Sequence, residues 1–402
     1  MNNIKTNAYR PDYAIHPGEI LEETLEARGI KKTALAERCG ITLKTVSQII
    51  NGKASISPSI AIRLERAIGI SASLWSNLNT DYELFVAREE DYASLDKQKQ
   101  WVKKFPLQQL SILGILPRKK NLTENLSNLL SFFGVSTISA WNDFYLAPNV
   151  DYRRSAAYKS QPESIATWLR IGELMSESVE CAPFNKKKFK IALSEIRKAT
   201  NEPVEIFQKI MIESCRNSGV SLVFVPELPK THVSGATKWI DTNKAMIILS
   251  LRHKMDDHFW FSFFHEAGHI LLHGKTEVFI ENNKNDRSEK EVEADVFASN
   301  FLIPKSNYKK LTSLNKFSGQ SILAFAQELN LAPGIIVGRL QHDDLIPYSW
   351  LNKLKRKFNF SAQQINSANA KSRVLNSAQQ PHNRPARAGD ADRQVIFYKK
   401  KS

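Results

Sequence analysis

The run His265-Glu266-Ala267-Gly268-His269 has the residue types and the spacing of a metal-dependent hydrolytic site. On an α-helix, side chains four residues apart lie on one face, so His265 and His269 can present their imidazoles to one metal ion. The carboxylate of Glu266 can then reach a water molecule bound to that ion and act as the general base. The pattern predicts a zinc site that can cleave peptide bonds.

A third protein ligand is expected from a second helix. Catalytic zinc takes three protein ligands and keeps one open position, so two histidines leave the site incomplete. Residues 289–304 read as a helix that ends at Pro304, and on it Glu291 shares a face with Asp295, one turn further on. We therefore predict Glu291 as the third ligand and Asp295 as the group that holds a histidine ring. Glu293 points elsewhere and is predicted to be solvated.

The helix that carries the motif must be buried. Residues 258–273 are apolar nearly all round except at the motif, and a helix of that kind lies inside a domain. Its histidines must then be paired or coordinated, because burying a polar group without a partner is costly. Gly268 costs roughly 1 kcal/mol relative to alanine in a helix interior, so another element is expected to approach closely there. The alternative is an ordinary helix with hydrogen-bonded histidines.

A second patterned region lies near the beginning of the chain. Residues 16–78 predict five short helices, and residues 33–53 have the pattern of a helix-turn-helix. Apolar positions on both sides of Gly40 pack the two helices across a tight turn, and Thr42 can cap the second helix. A small helical domain whose turn serves protein contacts only is the alternative.

The outer face of that second helix predicts contacts with double-stranded DNA. Between residues 30 and 60 there are five lysines or arginines and one acidic residue, an excess that suits a phosphate-facing surface. Lys44, Thr45 and Gln48 can reach base edges in a major groove, whereas Lys32 and Lys53 are expected to contact phosphates. The full predicted DNA-binding set is Lys32, Thr42, Lys44, Thr45, Ser47, Gln48 and Lys53. Such domains commonly bind as dimers to paired half-sites, so a homodimer on an operator is expected.

The C-terminal motifs resemble those of the ImmA/IrrE family of zinc metallopeptidases. The resemblance rests on His265–His269, on Glu-x-x-Ala-Asp-x-Phe-Ala and Leu-Ile-Pro within 291–304, and on two strand-like stretches within 219–251. It implies a zinc-dependent endopeptidase that cleaves or controls DNA-binding repressors. The family more often has asparagine where this chain has Asp295, a difference that keeps a hydrogen-bonding group.

The N-terminal stretch resembles the XRE-type helix-turn-helix domain of HigA-like antitoxins. The shared features are His-Pro-Gly-Glu-Ile-Leu at 16–21, the Asn-Gly-Lys turn at 51–53 and the Leu-Trp-x-Asn-Leu ending at 74–78. The resemblance implies a transcription regulator that binds operator DNA. It also implies a toxin as a partner if the chain acts as an antitoxin.

These patterns predict a multidomain, mainly α protein with four regions. Residues 1–82 are predicted to form an all-α helix-turn-helix domain, 83–200 a helical connecting region, 201–360 an α+β zincin-like domain with a small sheet, and 361–402 a disordered basic tail. The tail has little apolar periodicity and is expected to be inert, with a non-specific polyanion contact as the alternative. Aromatic residues at helical spacing in the connecting region are predicted to be core: Trp101, Phe105, Phe132, Phe133, Trp141 and Trp168.

Composition narrows the class of protein. At 402 residues the chain is long enough for two or three domains, and its formal charge of +15 favours an anionic partner. Three widely spaced cysteines indicate a reducing compartment rather than a disulfide framework. Because the N-terminus lacks a signal-like apolar stretch and no long apolar run follows, we expect a cytoplasmic protein with no membrane contact.

The resulting hypothesis is a DNA-binding transcription regulator with a fused zinc endopeptidase that cleaves a regulatory protein. The substrate could be the chain itself, since a cut near 83–120 would separate the two functions. The main alternative is a HigA-like antitoxin that represses its own operon and binds a toxin, with a structural metal ion. A metal or redox sensor that uses the site as a switch is the third interpretation.

The sequence offers several candidates, and no single choice, for two features that peptide hydrolysis requires. The oxyanion that forms during the reaction needs a further hydrogen-bond donor, and His232, His258 and Tyr308 are candidates. An extended substrate could pair with a strand edge, and the apolar stretches 221–228 and 244–251 are candidates for that edge.

Overall fold

The computed structural model describes residues 14–146, 161–250, 255–274, 278–280, 288–313 and 317–358. The predicted disordered tail, 361–402, lies outside this part of the chain. The chain divides into two compact units, one formed by residues up to 101 with 121–127 and the other by 102–120 with the residues from 128 onward. The predicted fold class, multidomain and mainly α, is confirmed, and the boundaries of the four predicted regions stay a prediction.

Five helices of the first unit pack around their own core. They are α1 Pro17–Ala27, α2 Lys32–Cys39, α3 Leu43–Ile50, α4 Pro58–Ile68 and α5 Ala72–Gln98. The core includes Leu21, Leu35, Val46, Leu64 and Trp75, all fully buried. The prediction of five short helices was wrong for α5, which has 27 residues. This helix continues because no glycine or proline occurs within it to end it.

Two local devices set the turn between α2 and α3. Gly40 ends α2 with a φ of 61°, a left-handed conformation that glycine adopts without strain. The hydroxyl of Thr42 accepts a hydrogen bond from the backbone N–H of Thr45 at 3.1 Å, so the predicted cap is present. Gly18 of α1 passes so close to α3 that an added Cβ would lie 2.0 Å from the carbonyl oxygen of Ile49. These contacts fix α3 against the rest of the unit.

Six helices lead from the first region to the sheet. They are α6 Leu107–Ile112, α7 Leu122–Phe133, α8 Ile138–Tyr145, α9 Pro162–Glu177, α10 Lys186–Lys198 and α11 Val204–Asn217. The predicted core role is confirmed for Phe105, Phe132, Phe133, Trp141 and Trp168, which are at most 6% exposed. Trp101 is only partly buried.

A four-stranded sheet follows, with the order β1-β3-β2-β4. The strands are β1 Val220–Val225, β2 Gly235–Asp241, β3 Lys244–Ser250 and β4 Phe279–Ile280. β3 pairs in parallel with β1 and antiparallel with β2, and β4 pairs antiparallel with the other side of β2. The prediction that 244–251 offers a substrate edge was therefore wrong, because the backbone of β3 is paired on both sides.

The motif helix α12, Asp256–Leu272, packs against α13, Glu289–Leu302. All but three of the 17 residues of α12 are buried, as its apolar sequence predicts. A Cβ added at Gly268 would lie 3.1 Å from Cδ1 of Phe297 and 3.3 Å from Cα of Ala294. The close approach expected at Gly268 is thus present, and it is made by α13.

Three further helices complete the second unit, α14 Lys305–Ser313, α15 Gly319–Leu329 and α16 Pro333–His342. Apolar side chains from α15 and α16 join the core that surrounds α12. Within the described ranges no single helix is long and apolar enough to cross a membrane. Taken together, α15 and α16 reach the length and apolar composition of a membrane span, but they are bent by 116° at their junction.

The beginning of α12 is anchored by a pair of buried aspartates. The N–H of Asp256 donates to the carbonyl of Arg356 at 2.9 Å, and Nζ of Lys355 lies 2.5 Å from Oδ2 of Asp257. α16 packs so tightly here that a Cβ at Gly334 would meet Oδ1 of Asp256 at 2.1 Å. Burial, together with the neighbouring Asp257, raises the pKa of Asp256 to about 6.

We expect Asp256→Asn to flatten the pH dependence of stability between pH 4 and 6. The folded-state pKa of about 6 exceeds the unfolded value of about 3.9, so the folded chain binds more protons in this window. The free energy of unfolding of the wild type therefore falls as pH rises through it, and an amide has no such proton to lose. Urea unfolding followed by tryptophan fluorescence at several pH values measures this. Asp143→Asn, an exposed change in the same unit, is the control, and parallel curves for wild type and Asp256→Asn would contradict the prediction.

Candidate metal centre

Three side chains from two helices meet at the end of α12. Nε2 of His265 lies 3.0 Å from Nε2 of His269 and 3.1 Å from Oε2 of Glu291. Nε2 of His269 lies 3.4 Å from Oε1 of Glu291. The structure thus brings together the three predicted ligands as a group that could hold one metal ion.

These separations can be compared with what a metal ion requires. Zinc-to-nitrogen bonds of 2.0–2.1 Å at tetrahedral angles place two ligand atoms about 3.3 Å apart, and a carboxylate oxygen takes a similar distance. The three observed distances, 3.0, 3.1 and 3.4 Å, fall around that value. The donor set of two imidazoles and one carboxylate, with a position left open, therefore fits a four-coordinate divalent ion.

Burial keeps the ring of His269 in the form that binds metal. His265 and His269 are at most 2% exposed, while a quarter of the Glu291 side chain is accessible. Burial, with smaller contributions from His265, His273 and Lys290, lowers the pKa of His269 to about 2. The ring is neutral at ordinary pH, so it has a nitrogen lone pair to donate.

Asp295 lies where the helical spacing predicted it. Its Oδ1 is 2.9 Å from Nδ1 of His265, the ring nitrogen that faces away from the ligand group. A carboxylate in this place accepts a hydrogen bond from Nδ1–H and so leaves Nε2 unprotonated and able to coordinate. Its role in supporting a ligand stays a prediction.

Two residues beside His269, and the contact of one of them with Glu293, were not found by the sequence reasoning. Nδ1 of His269 is 2.9 Å from Nδ1 of His273, whose Nε2 is 3.1 Å from Oε2 of Glu293. The ring of Phe279 on β4 stacks on the ring of His269, with centroids 4.1 Å apart. Glu293 is largely exposed as predicted, but it pairs with His273. The spacing of four residues between His269 and His273 could have predicted that the two rings lie on one helix face. Nothing in the sequence predicted the contact of Phe279 with His269.

The carboxylate of Glu266 is fully buried and held against strand β2. The hydroxyl of Thr237 donates to Oε2 of Glu266 at 2.6 Å. A Cβ at Gly235 would lie 2.7 Å from Oε1 of Glu266, so only glycine leaves room for this carboxylate. Neither β2 residue was identified from the sequence, because neither belongs to the motif.

The three candidate oxyanion donors make other contacts. The hydroxyl of Tyr308 donates to Oδ2 of Asp343 at 2.5 Å. Nδ1 of His232 lies 3.7 Å from Oε1 of Glu227, and the His258 side chain is 61% exposed, beside Asp257. The group of ligand atoms formed in the described part of the chain includes none of them.

The predicted DNA-binding positions lie on or beside α3, except Lys32, which begins α2. Thr42, Lys44 and Lys53 are exposed, and Thr45, Ser47 and Gln48 are half-buried on the helix. The hydroxyls of Thr42 and Thr45 lie 2.9 Å apart within the cap. Nζ of Lys32 pairs with Oε1 of Glu22 at 2.6 Å. The arrangement leaves a polar helix face at the surface of the first unit.

Comparison with known proteins finds two separate matches. A family model described as "Helix-turn-helix" matches residues 21–75, and one described as "IrrE N-terminal-like domain", peptidase M78, matches residues 215–341. The second match contains the motif helix, Glu291 and the whole sheet. The class defined by fold and site is therefore a helix-turn-helix protein with a metallopeptidase-type domain.

The N-terminal part also has similar curated relatives. It is 38% identical over 84 residues to virulence-associated protein I of Dichelobacter nodosus, covering 21% of this chain and 77% of that protein. It is 40% identical over 72 residues to antitoxin HigA-1 of Vibrio cholerae, and the match covers 18% of this chain and 68% of that protein. A solved structure, the Pseudomonas aeruginosa antitoxin HigA with higBA promoter, is 40% identical over 21% of this chain and 90% of that chain, with a TM-score of 0.19. Through these N-terminal residues the chain belongs to the helix-turn-helix family of HigA-like regulators.

We expect Asp295→Ala to weaken metal binding by about ten- to a hundredfold, because groups that orient a ligating histidine contribute that much to affinity. Competition with a chromophoric chelator measures the dissociation constant. Asp295→Asn is the matched control, since its amide oxygen can still accept the His265 Nδ1–H, and it should bind nearly as well as the wild type. Equal affinity of Asp295→Ala and wild type would show that Asp295 does not support the ligand.

Proposed function

We propose that the C-terminal unit is a zinc-dependent endopeptidase. The observation that carries the proposal is the group of His265, His269 and Glu291, in which the Nε2 atoms lie 3.0 Å apart and each lies within 3.4 Å of a Glu291 oxygen. The next residue after His265 on α12 is Glu266, which is fully buried. A structural metal site needs no general base, and structural zinc sites are usually closed by four protein ligands. The match to an IrrE N-terminal-like domain supports the same class of activity.

The roles of the residues follow from their positions. A zinc ion in such a site supplies a Lewis acid that polarises a carbonyl and makes water nucleophilic near neutral pH. Glu266 would take the proton of the attacking water and then pass that proton to the leaving amine. The hydroxyl of Thr237, which donates to Oε2 of Glu266, would hold the carboxylate in place. Asp295 would hold the His265 ring through Nδ1, so that Nε2 could coordinate an ion.

For the N-terminal unit we propose sequence-specific binding to operator DNA as a homodimer. The exposed polar face of α3 carries Lys44 and the half-buried Gln48, both residue types that bond to base edges in the major groove. Lys32 and Lys53 would contact phosphates. The similarity to HigA-like proteins supports this role, since one relative was solved with a promoter.

Together these roles make a regulator whose peptidase cleaves a protein that controls transcription, with the chain itself as one candidate. Within the predicted cut region 83–120, α5 extends to Gln98 and α6 covers Leu107–Ile112. A peptidase binds its substrate in extended form, so helical stretches are poor targets. The exposed, non-helical residues 117–120 are the part that suits cleavage.

A second candidate function is that of an antitoxin, favoured by the similarity to antitoxin HigA-1. In that case the N-terminal domain would repress its own operon, the C-terminal domain would bind a toxin, and the metal site would be structural or sensory. Buried Glu266 argues for chemistry, because a structural site gains nothing from a buried carboxylate beside its ligands.

The peptidase proposal is tested with wild type, Glu266→Gln and Glu291→Ala, each purified and measured for metal content and for fragments of itself and of added regulators. We expect about one zinc ion per chain in wild type and Glu266→Gln and loss of zinc in Glu291→Ala, because only the last removes a ligand. Fragments identified by mass spectrometry should come from the wild type alone. If the chain cuts itself, the new termini should map to residues 117–120.

Other outcomes separate the alternatives. Zinc bound by the wild type without cleavage of any tested protein would favour the antitoxin or the metal sensor. Cleavage by Glu266→Gln at the wild-type rate would remove Glu266 from the mechanism. A wild-type chain that binds no zinc would overturn the metal site itself.

DNA binding is tested by fluorescence anisotropy on the DNA upstream of the chain's own reading frame and on unrelated DNA. We expect Gln48→Ala to weaken operator binding by about 1–3 kcal/mol and to relax specificity, because it removes a base contact. Lys53→Ala should weaken binding to both DNAs alike. It should also lower the slope of log affinity against log salt concentration by about 1 in magnitude. If Gln48→Ala and Lys53→Ala behave identically, α3 does not read bases.

A further inference from the structure

His273 lies just beyond the motif helix, and it contacts the second predicted ligand. It caps α12, with its N–H donating to the carbonyl of His269 at 3.0 Å. Its side chain is 3% exposed. Its Nδ1 is 2.9 Å from Nδ1 of His269, and its Nε2 is 3.1 Å from Oε2 of Glu293.

The proton positions in this chain of contacts follow from elementary rules. If Nε2 of His269 coordinates a metal ion, the proton of the neutral ring must be on Nδ1. That N–H donates to His273, whose Nδ1 must then be an unprotonated acceptor. The proton of a neutral His273 is therefore on Nε2, and this N–H donates a hydrogen bond to Oε2 of Glu293. In the series of hydrogen bonds from His269 through His273 to Glu293, each contacting atom is thus either a donor or an acceptor, with no conflict.

We propose that His273 and Glu293 are positioning residues that hold His269 in its metal-binding tautomer and orientation. His273 thus does for His269 what Asp295 does for His265, but through an imidazole and a carboxylate in series. The inference rests on the proposed metal site, since it assigns residues that support one of its ligands.

Phe279 explains why this relay persists next to solvent. Its ring lies 4.1 Å from the centroid of His269 and 5.1 Å from that of His273. The stacked ring covers the hydrogen bond between the two histidines and excludes competing water. Glu293, with 62% of its side chain exposed, lies at the outer end, where water can partly replace it.

Burial also sets the expected sizes of the effects. Removing His273 leaves the inward Nδ1–H of His269 without its acceptor, so we expect His273→Leu to weaken zinc binding by about ten- to a hundredfold. Removing Glu293 frees His273 to take either tautomer while water replaces the acceptor, so Glu293→Ala should weaken binding by roughly two- to fivefold. In His273→Leu/Glu293→Ala the loss should equal that of His273→Leu alone, because Glu293 acts through His273.

The test measures zinc affinity by chelator competition and the visible spectrum of the cobalt-substituted protein. His273→Asn is the conservative variant, since its amide oxygen can accept at the position of Nδ1, and it should recover most of the affinity and the wild-type cobalt spectrum. Glu289→Ala removes an exposed negative charge from the same helix and should change neither reading. Circular dichroism checks that each variant is folded.

Three results would overturn the inference while leaving the metal site intact. These are wild-type affinity in His273→Leu, a loss in His273→Asn equal to that in His273→Leu, and additive losses in the double variant. If the wild type itself binds no zinc, the proposed metal site fails first, so the two failures are distinguishable. If Glu289→Ala weakened zinc binding as much as Glu293→Ala, the loss would come from the negative charge of the helix in general, and Glu293 would not be a positioning residue.

Discussion

The close packing of α12 against α13 is the constraint on which the candidate metal centre depends. The two histidines are on one helix and Glu291 is on the other, so their ligand atoms meet only if the helix backbones approach closely. Gly268 on α12 faces Ala294 and Phe297 on α13, where an added methyl group would lie only 3.1–3.3 Å from its neighbours. Small residues on both sides let the helices come within reach. The glycine that weakens the helix locally is thus what allows the site to form.

The same burial that shapes the site dictates its polar contacts. Imidazoles inside an apolar core are costly unless their nitrogens are satisfied. The structure supplies a partner for each outward nitrogen, Asp295 for His265 and His273 for His269. Thr237 does the same for the carboxylate of Glu266. Because these partners are themselves held by packing, the ligands are oriented before any ion arrives, which favours tight binding and fixed geometry.

Sequence reasoning succeeded where one helical period was enough. The shared face of His265 and His269, the place of Asp295 one turn after Glu291 and the cap at Thr42 all follow from spacing within a helix. It failed where distant segments meet. Sheet order depends on pairings between strands far apart in sequence, so the central position of β3 was missed, as were the contacts of Gly235 and Phe279. The length of α5 was missed for a different reason, because a familiar domain ending was taken as a helix end.

The two units place their functional residues in opposite environments. The helix-turn-helix unit exposes polar side chains on a helix whose other face joins a separate core, so its shape requires no metal ion. The peptidase-like unit buries its polar side chains in a different core, so its chemistry depends on exact packing around α12. Among the described residues the two cores have no member in common. Under the proposed function, cleavage of a connecting segment or of a bound regulator would link the two units chemically, which favours a peptidase over a passive metal sensor.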